Sequence, residues 1–232
     1  LTQMWESFYQ QFITYDGYKL VLQGLQNTLI IALVGLVIGI VLGTLVAVIH
    51  VAGTRSKVAR VFAVVGDVYT TLFRGTPIVV QLLVFHFVIF LPLQLNIPGV
   101  WESVIVFGLN SGAYVSEIMR GGILSVDIGQ TEAGRTLGLS FATTMLKIVF
   151  PQAIKNVIPT LGNELIAITK DTSVAGYVGT TDLTVAFSSL ASNDYKIILP
   201  YIFLALVYLV IVIIFTVIIR LVERRLRKSE RR

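Results

Sequence analysis

Two uncharged runs, Leu29–Ile49 of 21 residues and Ile197–Ile219 of 23, each match the ~20 residues that a helix needs to cross a hydrocarbon core. Backbone groups in lipid must be satisfied within the chain, so such runs are restricted to helices. Only 13% of the residues are charged and the mean hydropathy is +0.83, against about 25% charged in an average soluble domain. The expectation is an all-α integral membrane protein. The first run is too long for the apolar region of a signal peptide and has no basic segment before it.

Three weaker segments lie between these runs, each interrupted by charge. With them the spans fall at about 25–50, 58–91, 101–124, 156–178 and 197–220, five in a single transmembrane domain covering 1–232. Residues 1–22 precede them. There Trp5, Phe8, Tyr9, Phe12, Tyr15 and Tyr18 read as an interfacial helix and aromatic belt. Arg55, Lys57 and Arg60 follow the first span, four basic residues lie between Arg120 and Lys155, and seven occupy the tail from Arg220. Lys19 and Lys196 stand alone on the other side. The positive-inside rule therefore puts the N-terminus outside and the loops at 50–60 and 120–155, with the C-terminus, in the cytoplasm.

The net charge of +5 does not point to nucleic acid, because much of it follows a membrane span directly, where it sets topology and meets anionic lipid. Cysteine is absent and the two histidines, His50 and His86, fall in different spans, so no metal site is expected. No Gly-Lys dipeptide occurs, which leaves the chain without a G-x-x-x-x-G-K-[ST] phosphate loop. It does not itself bind ATP in that way, and no cofactor is expected in it. Gly35, Gly39 and Gly43 recur every fourth residue, a ridge that lets helix backbones approach within the subunit or at a dimer seam.

The inside loop at 127–151 is too polar at its start to cross a bilayer. Asp127 can cap a helix beginning at Ile128, with Gln130 three positions on. Gly138 can end that helix in a left-handed conformation, followed by apolar Leu139. Ser140 can cap a second helix running toward Val149, and Pro151 is expected to limit it. The first helix, about 15 Å long, lies along the membrane face.

Glu132-Ala133, then Gly138, Ile148 and Pro151, resembles the EAA motif of ABC-importer permeases, with Gly134 at the place of the second alanine and Phe150 at that of a leucine. Arg74-Gly75-Thr76-Pro77 with Gln81, the stretch Ala113–Val126 followed by Gly129-Gln130, and Lys170-Asp171-Thr172-Ser173 extend the likeness to the polar amino-acid permeases of that family, over most of the chain from Asn27 onward. The resemblance implies a subunit of the bacterial or archaeal cytoplasmic membrane that imports polar amino acids. It implies a separate ABC ATPase that binds ATP and Mg, a second permease subunit, identical or not, and an extracellular or periplasmic substrate-binding protein. It also makes the loop helix a coupling helix seated on the ATPase, through Glu132, Ala133, Gly134, Arg135 and Gly138. Glu132 and Arg135 can pair with each other or with the ATPase. The competing readings are a stand-alone secondary transporter or channel and an intramembrane enzyme, and neither an internal repeat nor a nucleophile set supports them.

Ionisable residues within spans are costly, so they are candidates for function or for structural pairing. Asp67, Glu117, Arg120 and Glu164 count to the inner half; Arg74, Glu102, Lys170 and Asp171 to the middle or outer half. Arg74, at a Gly-Thr-Pro break, suits an α-carboxylate, with the Thr76 hydroxyl beside it. Its competing role is a salt bridge to Asp171. Glu102 and Asp171 suit a cationic side chain, Glu102 being alternatively a solvated interfacial residue. Glu117 joins the substrate candidates, although an internal pair with Arg120 at i+3 is the better reading.

Overall fold

The computed structural model describes residues 2–53, 57–192 and 197–230. Arg55, Lys196, Arg231 and Arg232, which enter the charge tally, lie outside them. Among the described residues every regular element is helical: α1 (Thr2–Tyr9), α2 (Gly17–Gly53), α3 (Lys57–Gly75), α4 (Ile78–Val84), α5 (Gly99–Leu124), α6 (Ile128–Thr136), α7 (Phe141–Thr144), α8 (Phe150–Asp171), α9 (Leu183–Ser192) and α10 (Ile198–Glu230). Two helical stretches, Gly17–Val51 and Ile198–Leu226, are long and apolar enough to cross a membrane alone.

α5 is the centre. It carries Glu102, Ser103, Ser111 and Ser116 as well as apolar side chains in buried positions, which lipid would not accommodate but neighbouring helices do. α2 lies along it at backbone distance. A methyl added at Gly39 would meet Ser111 Oγ at 2.6 Å, and one at Gly43 would meet Gly112 O and Ser116 N at 2.7 Å. At Gly35 the nearest atom is Phe107 Cβ at 3.4 Å, an ordinary contact. The glycine ridge is therefore spent inside the subunit, against α5.

The expected span at 58–91 is not straight. α3 and the helix Ile78–Phe90 meet at a bend of 108°. Pro77, extended at ψ 141°, forms the corner and precedes α4. It has no N–H to continue the ladder, and its ring disfavours helical geometry at Thr76.

A second expectation needs correction at Pro151. The helix that Ser140 opens does not stop there: α7 runs through a π-helical turn, Met145–Val149, into α8. Phe150 N–H reaches back to Met145 O across the widened turn. That turn carries the ladder past a proline whose ring would crowd a regular α-turn, and Pro151 follows it in the first turn of α8.

α1 folds onto α10, with Phe8 stacked on Phe203 at 4.7 Å. Asp182 caps α9, accepting from Thr184 N (3.2 Å) and Val185 N (2.9 Å). Burial pushes its carboxyl above the usual range against those donors.

Gly43→Ala would press a methyl on backbone atoms that cannot rotate away, an overpacking worth about 1–3 kcal/mol. The purified protein in detergent should melt at a lower temperature with Gly43→Ala, while Gly35→Ala should leave the midpoint unchanged. Equal effects would show that α2 does not pack on α5 through Gly43.

Candidate functional site

The bend at Gly75–Pro77 frees carbonyls that a continuous helix would have paired. Gln81, one turn into α4 and buried, satisfies them: its Nε2 lies 2.8 Å from Phe73 O, 2.9 Å from Thr76 O and 2.9 Å from Thr76 Oγ1. The Thr76 hydroxyl donates to Leu72 O at 2.8 Å. Its proton is thus committed to the bend, which removes it as a donor to a ligand carboxylate, although Thr76 remains at the site. From α5, Asn110 Nδ2 donates to Phe73 O (3.2 Å) and to Gln81 Oε1 (3.0 Å), fastening the corner to the central helix.

This corner forms one wall of a cavity of ≈ 510 Å³. Arg74, Gly75 and Thr76 line it from the bend, Asn110 and Tyr114 from α5, and Glu164 and Asp171 from α8. Asn110 and Tyr114 share a face one turn apart, as Glu164 and Asp171 do at two turns. Arg74 lies over the Tyr114 ring, 5.6 Å from its centroid. Its Nη1 is 3.9 Å from Glu117 Oε1, too long for a hydrogen bond, so among the described residues Arg74 is held by charge and ring rather than by a hydrogen bond. It forms no bridge with Asp171 among the described residues.

Glu117 stands outside the lining. Its carboxylate bonds Arg120 Nη2 at 2.5 Å and Nε at 3.2 Å, the i, i+3 pair expected, with Arg74 beside it as a second cation. Glu102 is also absent from the lining and is neither solvated nor free. It is 5% exposed, and its Oε2 lies 2.7 Å from His86 Nδ1. The other histidine also takes a carboxylate: His50 Nε2 meets Asp67 Oδ1 at 2.7 Å, while its Nδ1 faces Val46 O at 2.9 Å. Partners 16 and 17 residues apart on separate helices carry no sequence periodicity, which is why counting along the chain missed both pairs. Attention to ionisable groups alone likewise passed over Asn110 and Tyr114. Among the described residues there is no cluster of three potential metal ligands.

The second site is α6 and its exit. Asp127 caps the helix through Gly129 N at 2.7 Å. At the other end Gly138 has φ +78°, Leu139 N bonds Gly134 O at 3.1 Å and Gly138 N bonds Arg135 O at 3.0 Å, the paired bonds of a Schellman ending. Arg135 donates to Leu139 O at 3.0 Å and, among the described residues, forms no bridge with Glu132. Gly134 packs against Thr144, where a methyl would fall 2.7 Å from Cγ2. Glu132, Ala133 and Arg135 remain exposed, so the short helix presents a free outer face.

A family model described as binding-protein-dependent transport system inner membrane component matches residues 39–228. The chain is similar to the arginine transport system permease protein ArtQ of Bacillus subtilis (strain 168), 37% identical over 210 residues that make up 90% of this chain and 94% of that protein. It is similar to the putative glutamine transport system permease protein GlnP of Rickettsia prowazekii (strain Madrid E), 35% identical across 82% of this chain and 85% of that one. A solved structure, described as an amino acid ABC transporter with histidines, superposes with a TM-score of 0.82 at 35% identity, covering 94% of this chain and 98% of its own.

Proline at 138 would need φ near −65° where the chain holds +78°, and would delete the N–H that bonds Arg135 O. Losing terminal bonds of about 1 kcal/mol each should speed amide exchange over 133–139 about tenfold in Gly138→Pro. Amides in the middle of α2 and α10 should not change. Unaltered exchange at 133–139 would show that Gly138 does not terminate α6.

Proposed function

The chain belongs to the family of binding-protein-dependent transport system inner membrane components, and on that premise we propose that it is the membrane-spanning subunit of an ATP-driven importer of polar amino acids, basic ones foremost. The observation that carries the substrate is the cavity: one guanidinium on the bend and two carboxylates on α8 around ≈ 510 Å³. An amino acid with a cationic side chain needs a cation for its α-carboxylate and a carboxylate for the far end. Arg74 suits the first in a forked contact. Asp171 and Glu164 suit the second, in surroundings where opposite charges attract more strongly than at a water-exposed surface. Glu102, held by His86, is left out of selectivity, and Glu117 serves Arg74 rather than the ligand. The named relatives for arginine and glutamine agree in substrate class.

The energy comes from a partner ATPase that binds ATP and Mg. The exposed face of α6, with Glu132, Ala133 and Arg135, is its seat, and Gly134 and Gly138 shape the helix behind that face. In this arrangement α6 and the basic C-terminal tail are cytoplasmic and the N-terminus is outside. A second permease subunit and an external binding protein complete the complex, surrounded by membrane lipid. α6 is joined to α8 by α7 and the π turn, so a push on the loop moves α8 and its two carboxylates as one body.

The test is uptake into liposomes by the reconstituted complex with its ATPase, and ligand binding to the same complex without the binding protein. Asp171→Asn should weaken arginine binding about ten- to a hundredfold, as expected for a lost charge-assisted bond, and glutamine binding much less. Glu102→Gln should leave the arginine-to-glutamine ratio unchanged. Gly138→Pro should keep ligand binding and lose uptake. Equal weakening of both ligands by Asp171→Asn would remove the basic-substrate reading, and wild-type uptake by Gly138→Pro would remove the coupling role.

A further inference from the structure

Both amides at the bend have their orientation decided by chemistry. Gln81 Nε2 faces two carbonyl oxygens, Phe73 O and Thr76 O, and a hydroxyl whose proton is already given to Leu72 O. All three only accept, so the nitrogen side of Gln81 must point at them and Oε1 must point toward α5. There it receives Asn110 Nδ2, which also donates to Phe73 O. Asn110 is oriented in turn: its nitrogen is bound to two acceptors, and an exchange of its amide ends would set oxygen against oxygen. Its Oδ1 has no donor among the described residues, yet Asn110 lines the cavity.

We propose that Asn110 Oδ1 is the acceptor for the α-ammonium of the transported amino acid, and that Gln81 is the positioning residue that aims it there. This rests on the amino-acid reading given above and adds the group that reads the third feature of the ligand. Arg74 takes the α-carboxylate, and the α8 carboxylates take the side chain. The cavity then reads the α-ammonium with a neutral oxygen, which leaves Asp171 and Glu164 uncommitted for the far cation. Asn110 adjoins Phe73, the residue before Arg74, as neighbouring α-carboxylate and α-ammonium require. The same two amides thus serve the bend and the ligand at once: an unpaired buried carbonyl would be costly, and satisfying it with Nδ2 leaves the oxygen of this cavity-lining residue without a donor among the described residues.

The experiment compares arginine with 5-guanidinopentanoate, the same molecule without its α-amino group, on the purified permease–ATPase complex without the binding protein. Wild type should bind arginine more tightly. In Asn110→Leu that preference should fall about tenfold or more, with 5-guanidinopentanoate bound as in wild type. Gln81→Leu, which touches no ligand, should lower the same preference by releasing Asn110. A purely structural role would weaken both ligands together in Asn110→Leu. That outcome, or an unchanged preference, overturns the proposal while leaving the amino-acid reading in place. If wild type binds neither ligand, the amino-acid reading falls and this assignment with it.

Discussion

The close approach of α2 to α5 is the contact on which the other features depend. Lipid tails give no hydrophobic drive for two apolar helices to associate, so proximity must come from surfaces small enough for many atoms to touch. Gly39 and Gly43 on one helix meet Ser111, Gly112 and Ser116 on the other, at separations that leave no room for a methyl group. With α2 against one side, α5 is shielded from lipid and can carry Glu102, Ser103, Ser111 and Ser116 in buried positions. The helix that presents Asn110 and Tyr114 to the cavity can be polar because α2 and its neighbours enclose it.

The bend at Pro77 meets a second demand of the membrane. Irregular backbone at depth is tolerated only where protein or a wet cavity satisfies it, and here both do. Gln81 and Asn110 take up the freed carbonyls on one side, and the cavity opens on the other. Arg74 gains its position from this corner, and Glu117 keeps it near without closing a hydrogen bond. Six other ionisable groups of the spans are arranged in pairs, His50 with Asp67, His86 with Glu102 and Arg120 with Glu117. Asp171 forms no ion pair with Arg74 among the described residues and lines the cavity.

The run from α7 to α8 joins the outer face of the loop to that cavity. A π turn lets one helix continue past Pro151 instead of ending before it, so the chain from Ser140 to Asp171 is one body. Gly138, in its left-handed conformation, separates that body from α6.

Much of the local structure was legible in the residues. The two apolar runs settled the membrane class, the spacing of Gly35, Gly39 and Gly43 announced close packing, and Asp127, Gly138 and Ser140 marked helix ends that the structure keeps, because these features act within a few residues of themselves. The glycine ridge did not say which helix it would meet. Arg74 and Asp171 were legible as candidates because a charge inside a span is costly wherever it stands. Whether such a charge faces a cavity or a partner was not legible. Glu102 was drawn to His86, and Asn110 and Tyr114 to the cavity, by contacts between separate helices, and those follow from how the helices pack around α5. The continuation past Pro151 was also decided in three dimensions, since a proline forbids one regular turn but not the wider turn that goes around it. The sequence by itself determined which residues would be expensive to place, and the tertiary structure determined which of them found partners and which came to line the cavity.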